Sequence, residues 1–156
     1  MRIRPLALDD FSALVEYDWA PLIAERDTIY LFLARDHASC SFVAEDEDGN
    51  ALGYLVGGRS ADGASVFLFH VHVRSEHRRR GIGTALMTKM EDAAARAGAV
   101  KVWLLARTRV ERFYARLGYT ECTSGLPKAI RSYVQHVKAS KVLEKSISAK
   151  GVRANG

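Results

Sequence analysis

The sequence predicts one domain of the α/β (α+β) class, with a mixed central β-sheet of six to seven strands flanked by helices on both faces. A length of 156 residues suits a single domain, and a composition of 48% hydrophobic and 26% charged residues is that of a globular chain. Segments of period 2 and of helical period follow one another in the order β-α-α-β-β-β-α-β-α-β. Residues 100–105 are nearly all apolar, as in a strand covered on both faces.

The N-terminal part predicts a short edge strand followed by two helices. Residues 1–6 alternate apolar and basic side chains, as an edge strand does. Asp9 or Asp10 is placed to cap a first helix, which ends near Trp19. Pro21 suits the first turn of a second helix, which carries apolar residues at helical spacing up to residue 33.

The remaining elements follow from turn residues and periodicity. They are strands at 39–46, 51–59 and 66–74, a helix at 81–98, a strand at 100–105, a helix at 110–117 and a strand at 119–123. Residues 130–137 fit a strand or a helix, and we favour a strand. Beyond Ser140 we expect a loose helix or a disordered segment. The domain organisation predicted is thus a single domain over 1–140 and a basic tail over 141–156.

The basic charge is concentrated at the C-terminal end. The net charge is +5, but the residues from 126 onward contain seven basic residues and one acidic residue, so that segment alone exceeds the total. The rest of the chain is slightly acidic. This distribution argues against a nucleic-acid-binding function for the domain as a whole.

Several further classes are excluded. No apolar run approaches the roughly 18 residues that a membrane span needs, and the N-terminus lacks a signal-peptide core, so we expect a cytoplasmic protein without a membrane partner. Cys40 and Cys122 are expected to be separate thiols. No cysteine–histidine spacing suggests a zinc site, and we expect no metal.

The stretch HVHVRSEHRRRGIGTALM, residues 70–87, carries the strongest chemical signal. It places three arginines, residues 78–80, and two glycines between a strand and a helix. The first amides of a helix have no intrahelical partner and carry the positive end of the helix dipole. Gly81 and Gly83 allow an anion to approach these amides closely. The stretch therefore predicts a diphosphate cradle, against the alternative of a solvated basic face.

Three phosphate-binding patterns were compared with this stretch. A Walker A loop needs Gly-Lys-Ser/Thr, which is absent, and a dinucleotide fingerprint needs a third glycine where Leu86 stands. The pattern Arg/Gln-x-x-Gly-x-Gly/Ala matches residues 78–83. Here the sequence resembles the GNAT superfamily of N-acetyltransferases. The resemblance extends along the whole stretch FLFHVHVRSEHRRRGIGTALM and includes RFYARLGY at 112–119. An asparagine that the family often has before that helix is missing from residues 106–109.

The resemblance implies an enzyme that transfers acetyl from acetyl-coenzyme A directly to a primary amine. It implies that the loop holds the pyrophosphate of the cosubstrate through backbone amides. The cofactor-binding residues expected are Val71, Val73, Arg78, Arg79, Arg80, Gly81, Ile82, Gly83 and Thr84.

The resemblance also implies two catalytic roles. The family stabilises the thioester oxygen with a main-chain amide of the central strand, where that strand separates from its neighbour, and Val73 is the matching position, with Val71 close by. Tyr114 matches the usual general acid that gives a proton to the departing thiolate. The alternative for Tyr114, a tyrosine beside Phe113 in a helix, is simple core packing.

The general base is expected on the central strand. His70 and His72 alternate onto one face of that strand, and either can accept a proton near neutral pH. The other face is expected to carry Phe67, Phe69, Val71 and Val73, unless a bulge changes the alternation. Both histidines have the alternative of a packing role, and a chain of waters without a single base is an equal alternative.

The acceptor expected is a small-molecule amine: a diamine, an amino acid or an aminoglycoside-like compound. Alternatives are a protein or peptide acceptor, or a non-catalytic coenzyme A-binding module whose basic tail contacts nucleic acid. Glu25, Asp27 and Tyr30 lie where this fold often lines the acceptor site, and the acidic residues among them could bind a cationic amine, but we favour a solvated helix face. Family members are frequently homodimers, and no sequence feature here fixes the oligomeric state.

Overall fold

The structure, a computed structural model, describes residues 1–6, 38–126 and 140–148, together with Lys128, Arg131 and Val134. Within this part of the chain, seven strands form one sheet in the order β1-β2-β3-β4-β5-β7-β6. The strands are β1 (Arg2–Pro5), β2 (Phe42–Glu45), β3 (Ala51–Arg59), β4 (Ser65–Val73), β5 (Lys101–Arg107), β6 (Thr120–Glu121) and β7 (Ser140–Ser146). The helices are α1 (Ile82–Arg96) and α2 (Glu111–Arg116), and single 3-10 turns lie at Ala38–Cys40, Ser75–His77 and Thr108–Val110.

The predicted mixed sheet is confirmed. Strands β4 and β5 are parallel and are joined by α1, while every other neighbouring pair in the sheet is antiparallel. The two helices predicted near residues 9–19 and 21–33 lie outside the described residues. No helix in the described ranges has the length and apolar character that a bilayer crossing requires.

Helix α1 packs its apolar face on the centre of the sheet. Leu86, Met87 and Met90 are fully buried and belong to one cluster with Leu55 of β3 and Leu68 of β4. Burying a side chain of this size contributes about 1.5–3 kcal/mol, so this face fixes the position of α1 and of the loop before it. The helix ends as predicted before Gly98, which has a φ of 90°.

Strand β4 contains a bulge at Phe69. In the pairing of β3 with β4, Val56 lies opposite His70 and the next residue, Gly57, lies opposite Leu68. Phe69 is therefore the extra residue. A bulge of this kind bends the strand and reverses the alternation of its side chains.

The bulge corrects the predicted faces of β4. Val71 and Val73 pack against the core beneath α1, on the side to which Leu68 contributes. Phe67 lies on the other face, where its ring centroid is 4.4 Å from that of Trp103. The prediction that Phe67 shares a face with the two valines is wrong because the extra residue separates them.

The parallel pair β4–β5 separates beyond the bulge. Its last paired residues are Leu68 and Leu104. Strand β5 continues to Arg107 and remains paired with β7 along this length. A gap therefore opens in the sheet between the C-terminal halves of β4 and β5, as the family resemblance implies for the central strand.

Residues Ser140–Ser146 form a strand, where a loose helix or a disordered tail was predicted beyond Ser140. Strand β7 lies between β5 and β6 and pairs with both. Val142 and Leu143 are buried. The prediction was wrong because these two consecutive apolar residues stand among lysines, which hides a strand buried on both faces.

Two lysines of β7 are paired with carboxylates. Lys141 lies 3.2 Å from Glu121, and the Nζ of Lys145 donates to Glu91 at 2.6 Å.

The strand that we favoured at 130–137 is also wrong for the two residues described there. Both Arg131 and Val134 are helical.

Candidate active site

A cleft with a volume of about 780 Å³ lies between the end of β4, the start of α1 and helix α2. Nine of the predicted site residues line it. They are Val71, Val73, Arg78, Arg79, Gly81, Ile82, Gly83, Thr84 and Tyr114. Arg80, His70 and His72 are not among its lining residues.

The loop before α1 turns sharply through two left-handed residues. Arg79 has a φ of 62° and Gly81 a φ of 79°. Glycine adopts this conformation without steric cost, and Gly81 uses it at the N-cap of α1. The turn directs the helix N-terminus at the cleft.

The N-terminus of α1 offers three backbone donors to the cleft. The first intrahelical bond runs from the amide of Ala85 to the carbonyl of Gly81 at 2.9 Å. The amides of Ile82, Gly83 and Thr84 therefore have no partner within the helix, and the N-cap residue, Gly81, has no side chain that could cap them. Together with the helix dipole, these amides form a site suited to an anion.

Gly83 lies against the ring of Phe113. A Cβ added at Gly83 would lie 3.4 Å from Cζ of Phe113 and 3.7 Å from Cγ2 of Val73. Alanine therefore fits in ordinary contact, whereas a longer side chain would enter the cleft. Through these two contacts Gly83 of α1 packs against both α2 and β4 beside the cleft.

The three arginines of the loop are placed differently. The Nε of Arg78 donates to the carbonyl of Val73 at 3.0 Å, which holds the loop on the end of β4. Arg79 lines the cleft, and Arg80 is exposed outside it. The structure thus brings two of the three arginines to the cleft.

Two backbone amides near the end of β4 face the gap beside β5. The amide of Arg74 donates to Leu52 in the direction of β3, at 3.0 Å. Successive residues of an antiparallel strand direct their N–H and C=O groups to opposite sides. The amides of Val73 and Val71 are therefore directed toward β5, at the level where β5 no longer pairs with β4.

Tyr114 is buried at the side of the cleft, and burial raises its pKa to about 12. It therefore keeps its proton at neutral pH. Its ring makes edge contacts with Phe113 at 5.1 Å and with Tyr119 at 5.8 Å. The hydroxyl of Tyr119 donates to Glu91 at 2.9 Å, which fixes the ring that supports Tyr114.

The two histidines of β4 lie on the face opposite the cleft. The Nδ1 of His70 is 3.0 Å from the hydroxyl of Tyr54. The ring of His72 is nearly parallel to that of Tyr54 at 6.1 Å, and the two imidazole centroids are 5.6 Å apart. His70 and His72 alternate along β4 with Val71 and Val73, whose amides face the gap. Glu25, Asp27 and Tyr30 lie outside the described residues.

Sequence reasoning missed five lining residues. They are His77, Val110, Phe113, Arg116 and Leu117. Two sequence features could have indicated three of them. His77 immediately precedes the arginines, and Phe113 and Leu117 are four residues apart, which places them on the same helix face as each other. Val110 and Arg116 reach the cleft only through the packing of α2, for which the local sequence gives no signal.

Comparison with known proteins agrees with this geometry. Residues 2–119 match the model of the acetyltransferase (GNAT) family. No curated protein matches the chain. Ard1 from Thermoplasma volcanium has a similar fold, with a TM-score of 0.74 and 20% identity over 94% of this chain and 97% of that one. Naa20 from Chaetomium thermophilum, solved with a bisubstrate analogue, gives 0.70 and 23% over 100% and 94%.

An N-acetylglutamate synthase from Neisseria gonorrhoeae, solved with coenzyme A and N-acetyl-glutamate, also has a similar fold. Its TM-score is 0.70 at 17% identity, over 94% of this chain and 35% of that one. The identities to these solved structures indicate a common fold. Since the family match covers three quarters of the sequence, the chain belongs to the acetyltransferase (GNAT) family and is an acetyl-coenzyme A-dependent acetyltransferase.

Proposed function

We propose that the protein transfers acetyl directly from acetyl-coenzyme A to a primary amine, with the cosubstrate bound in the cleft described above. One observation carries this proposal. Two sets of backbone donors, those of Ile82 to Thr84 at the start of α1 and those of Val71 and Val73 in the gap, border a single cleft. A diphosphate and a thioester joined by a flexible arm need donors at two such separate places.

The residues present fit this cosubstrate. The amides at the start of α1 and the guanidinium of Arg79 suit the pyrophosphate, because they combine directed donors with positive charge. The gap between β4 and β5 offers an extended path for the pantetheine arm. The missing asparagine at 106–109 removes one side-chain contact that the family often uses along this path.

The thioester supplies an acyl carbon open to attack and a sulfur that departs. As the C–N bond forms and the C–S bond breaks, the amides of Val71 and Val73 stabilise charge on the acyl oxygen. Tyr114 gives its proton to the sulfur. Burial raises the pKa of Tyr114, so the phenol keeps its proton until the sulfur departs, and the same burial disfavours an unprotonated thiolate at this place.

A proton must also leave the attacking amine. His70 is the first candidate to accept it and His72 the second, because both lie on β4 next to Val71 and Val73, on the face of the sheet opposite the cleft. The amine then approaches the acyl carbon from the face of the sheet opposite the cleft that holds the cosubstrate. A chain of waters is the alternative route for this proton.

A small-molecule amine is the first acceptor class proposed. A peptide or protein N-terminus is the second. One observation supports it: the fold similarity covers nearly the whole of the Ard1 and Naa20 chains, but only about a third of the N-acetylglutamate synthase chain. A non-catalytic module with a nucleic-acid-binding tail is disfavoured, because Lys141 and Lys145 are engaged by carboxylates.

The test is the release of free thiol from acetyl-coenzyme A in the presence of diamines, amino acids, aminoglycosides and short peptides. A rate well above background hydrolysis with one class establishes the transfer and identifies the acceptor. Calorimetry with coenzyme A alone tests the binding site separately. Absence of coenzyme A binding would refute the assignment of the cleft.

A further inference from the structure

Arg116 lies in the last turn of α2, where it is exposed and lines the cleft. Arg112, four residues earlier in the same helix, is also exposed but does not line the cleft. The two side chains have the same charge and the same helix in common. They differ in whether a ligand in the cleft is within their reach.

Helix α2 carries Arg116 close to the amides at the start of α1. The contact between the two helices is made by Phe113, whose Cζ would lie 3.4 Å from a Cβ on Gly83. Arg116 follows Phe113 by three residues, which is about 4.5 Å along the axis of an α-helix and on the same side of it. The guanidinium of Arg116 therefore belongs to the wall of the cleft that touches the phosphate site, roughly one helical turn away from that contact.

Positive charge in the cleft is not balanced by carboxylates of the protein. Arg78, Arg79 and Arg116 line it, and no acidic side chain is among its described lining residues. Within the described part of the chain, Arg116 is in none of the ion pairs, whereas four carboxylates engage the lysines of β5 and β7. Arg112 and Arg116 also repel each other, because they are like charges four residues apart on a helix. An anionic ligand in the cleft would relieve this imbalance.

Acetyl-coenzyme A carries two separate anionic groups on one ribose, a diphosphate at the 5′ position and a phosphate monoester at the 3′ position. The amides at the start of α1 and Arg79 are the proposed partners of the diphosphate. The Nε of Arg78 already donates to the carbonyl of Val73. Arg116 is the remaining guanidinium of the cleft, and its planar donors suit a phosphate.

We propose that Arg116 binds the 3′-phosphate of the cosubstrate and thereby makes the enzyme select coenzyme A thioesters over thioesters that lack this phosphate. The proposal rests on the proposed function, because it takes the diphosphate to lie at the start of α1. Since the 3′-phosphate is far along the cosubstrate from the acyl carbon, Arg116 contributes to binding and not to the chemical step.

Dephospho-coenzyme A tests this one contact. It has the thiol, the pantetheine arm, the diphosphate and the adenosine of coenzyme A, and lacks only the 3′-phosphate. Titration calorimetry with both compounds, at one ionic strength, is carried out on the unaltered protein, on Arg116→Ala and on Arg112→Ala. Arg112→Ala is the matched control, because it removes the same charge from the same helix outside the cleft.

We expect the unaltered protein and Arg112→Ala to bind coenzyme A about tenfold more tightly than dephospho-coenzyme A, as loss of a charge-assisted contact predicts. In Arg116→Ala the two affinities should agree within about twofold, and the affinity for dephospho-coenzyme A should equal that of the unaltered protein. With the best acceptor of the panel, Arg116→Ala should raise KM for acetyl-coenzyme A about tenfold and leave kcat within about twofold.

Three results would overturn the proposal. One is an unaltered protein that binds both compounds equally well. Another is a preference for coenzyme A that persists in Arg116→Ala. The third is an equal loss of affinity for both compounds in Arg116→Ala, which would assign this arginine to the diphosphate. Failure of the unaltered protein to bind either compound would refute the position of the cosubstrate in the cleft, and with it both this proposal and the proposed function.

Discussion

Arg78 donates from its Nε to the carbonyl oxygen of Val73 at 3.0 Å, and this bond connects the loop before α1 to the end of β4. The same strand residue that directs its amide into the gap is thereby held by the first arginine of the loop. Because Nε makes this contact, the terminal nitrogens of the guanidinium are not needed for it. Arg78 thus holds the loop on the end of β4 and also carries a positive charge.

Replacing Arg78 with alanine is expected to weaken coenzyme A binding about tenfold, because the variant loses a charge-assisted contact and loosens the loop. Arg80→Ala is the matched control, since Arg80 is exposed and does not line the cleft. Titration calorimetry of both variants with coenzyme A makes the comparison. An equal loss of affinity in the two would mean that the loop acts only through its total charge.

Gly83→Asp is expected to remove coenzyme A binding while leaving the fold intact. Its carboxylate would stand at the start of α1, where it competes for the free amides and repels the pyrophosphate. Gly83→Ala is the control for size, because its Cβ makes only ordinary contact with Phe113 at 3.4 Å. Binding retained in Gly83→Asp would place the pyrophosphate elsewhere.

Tyr114→Phe is expected to lower kcat by well over tenfold, because the departing sulfur loses its proton donor. The dissociation constant for acetyl-coenzyme A should stay within about twofold, since the ring and its contacts with Phe113 and Tyr119 remain. Steady-state rates and calorimetry on the same preparation give both values. An unchanged kcat would assign Tyr114 to packing alone.

Alkaline pH is expected to destabilise the fold through its buried tyrosines. Burial raises the pKa of Tyr114 to about 12, and burial and the Glu91 carboxylate raise that of Tyr119. Above about pH 10 the unfolded chain releases these protons while the folded protein retains them, so stability falls as pH rises. Tyr114 alone contributes up to roughly 3 kcal/mol, which is present below pH 10 and lost by about pH 12.

Urea unfolding of the unaltered protein and of Tyr114→Phe, at several pH values from neutral to alkaline, measures this contribution. The variant should show a smaller fall in the free energy of unfolding above pH 10. Parallel pH dependences for the two proteins would show that Tyr114 titrates as it does in the unfolded chain.

Two truncations distinguish strand from tail. Deleting residues 141–156 removes β7, including the buried Val142 and Leu143, and is expected to prevent folding. Deleting only 149–156 leaves every described strand pairing in place and is expected to retain both the melting temperature and thiol release. Circular dichroism melts and the thiol assay compare them. A folded, active 141–156 deletion would contradict the position of β7 in the sheet.

The local sequence predicted the cleft well where its residues are contiguous. Arg78 to Thr84 form one turn and one helix start, so an anion site could be predicted from these consecutive residues, while the cosubstrate was implied by the family resemblance. The faces of β4 could not be inferred, because the bulge at Phe69 depends on pairing with β3 and leaves no local pattern. Val110 and Arg116 came to the cleft through tertiary packing.

Strand β7 is an element that the local sequence did not predict. An apolar strand such as 100–105 is recognisable from its composition, whereas β7 buries only two consecutive side chains, Val142 and Leu143, between charged neighbours. Its lysines find carboxylates on β6 and α1, which are remote in sequence. Partners of this kind are invisible until the fold is known.

The order of the sheet also has a consequence for synthesis of the chain. Strand β6 is made before β7 but joins the sheet only through it, because β7 lies between β5 and β6. Strand β6 therefore has no strand to pair with while β7 is still inside the ribosome. The sheet can be completed only after residues 140–146 have been made, and until then the edge of β5 that β7 covers is open to pairing with other chains.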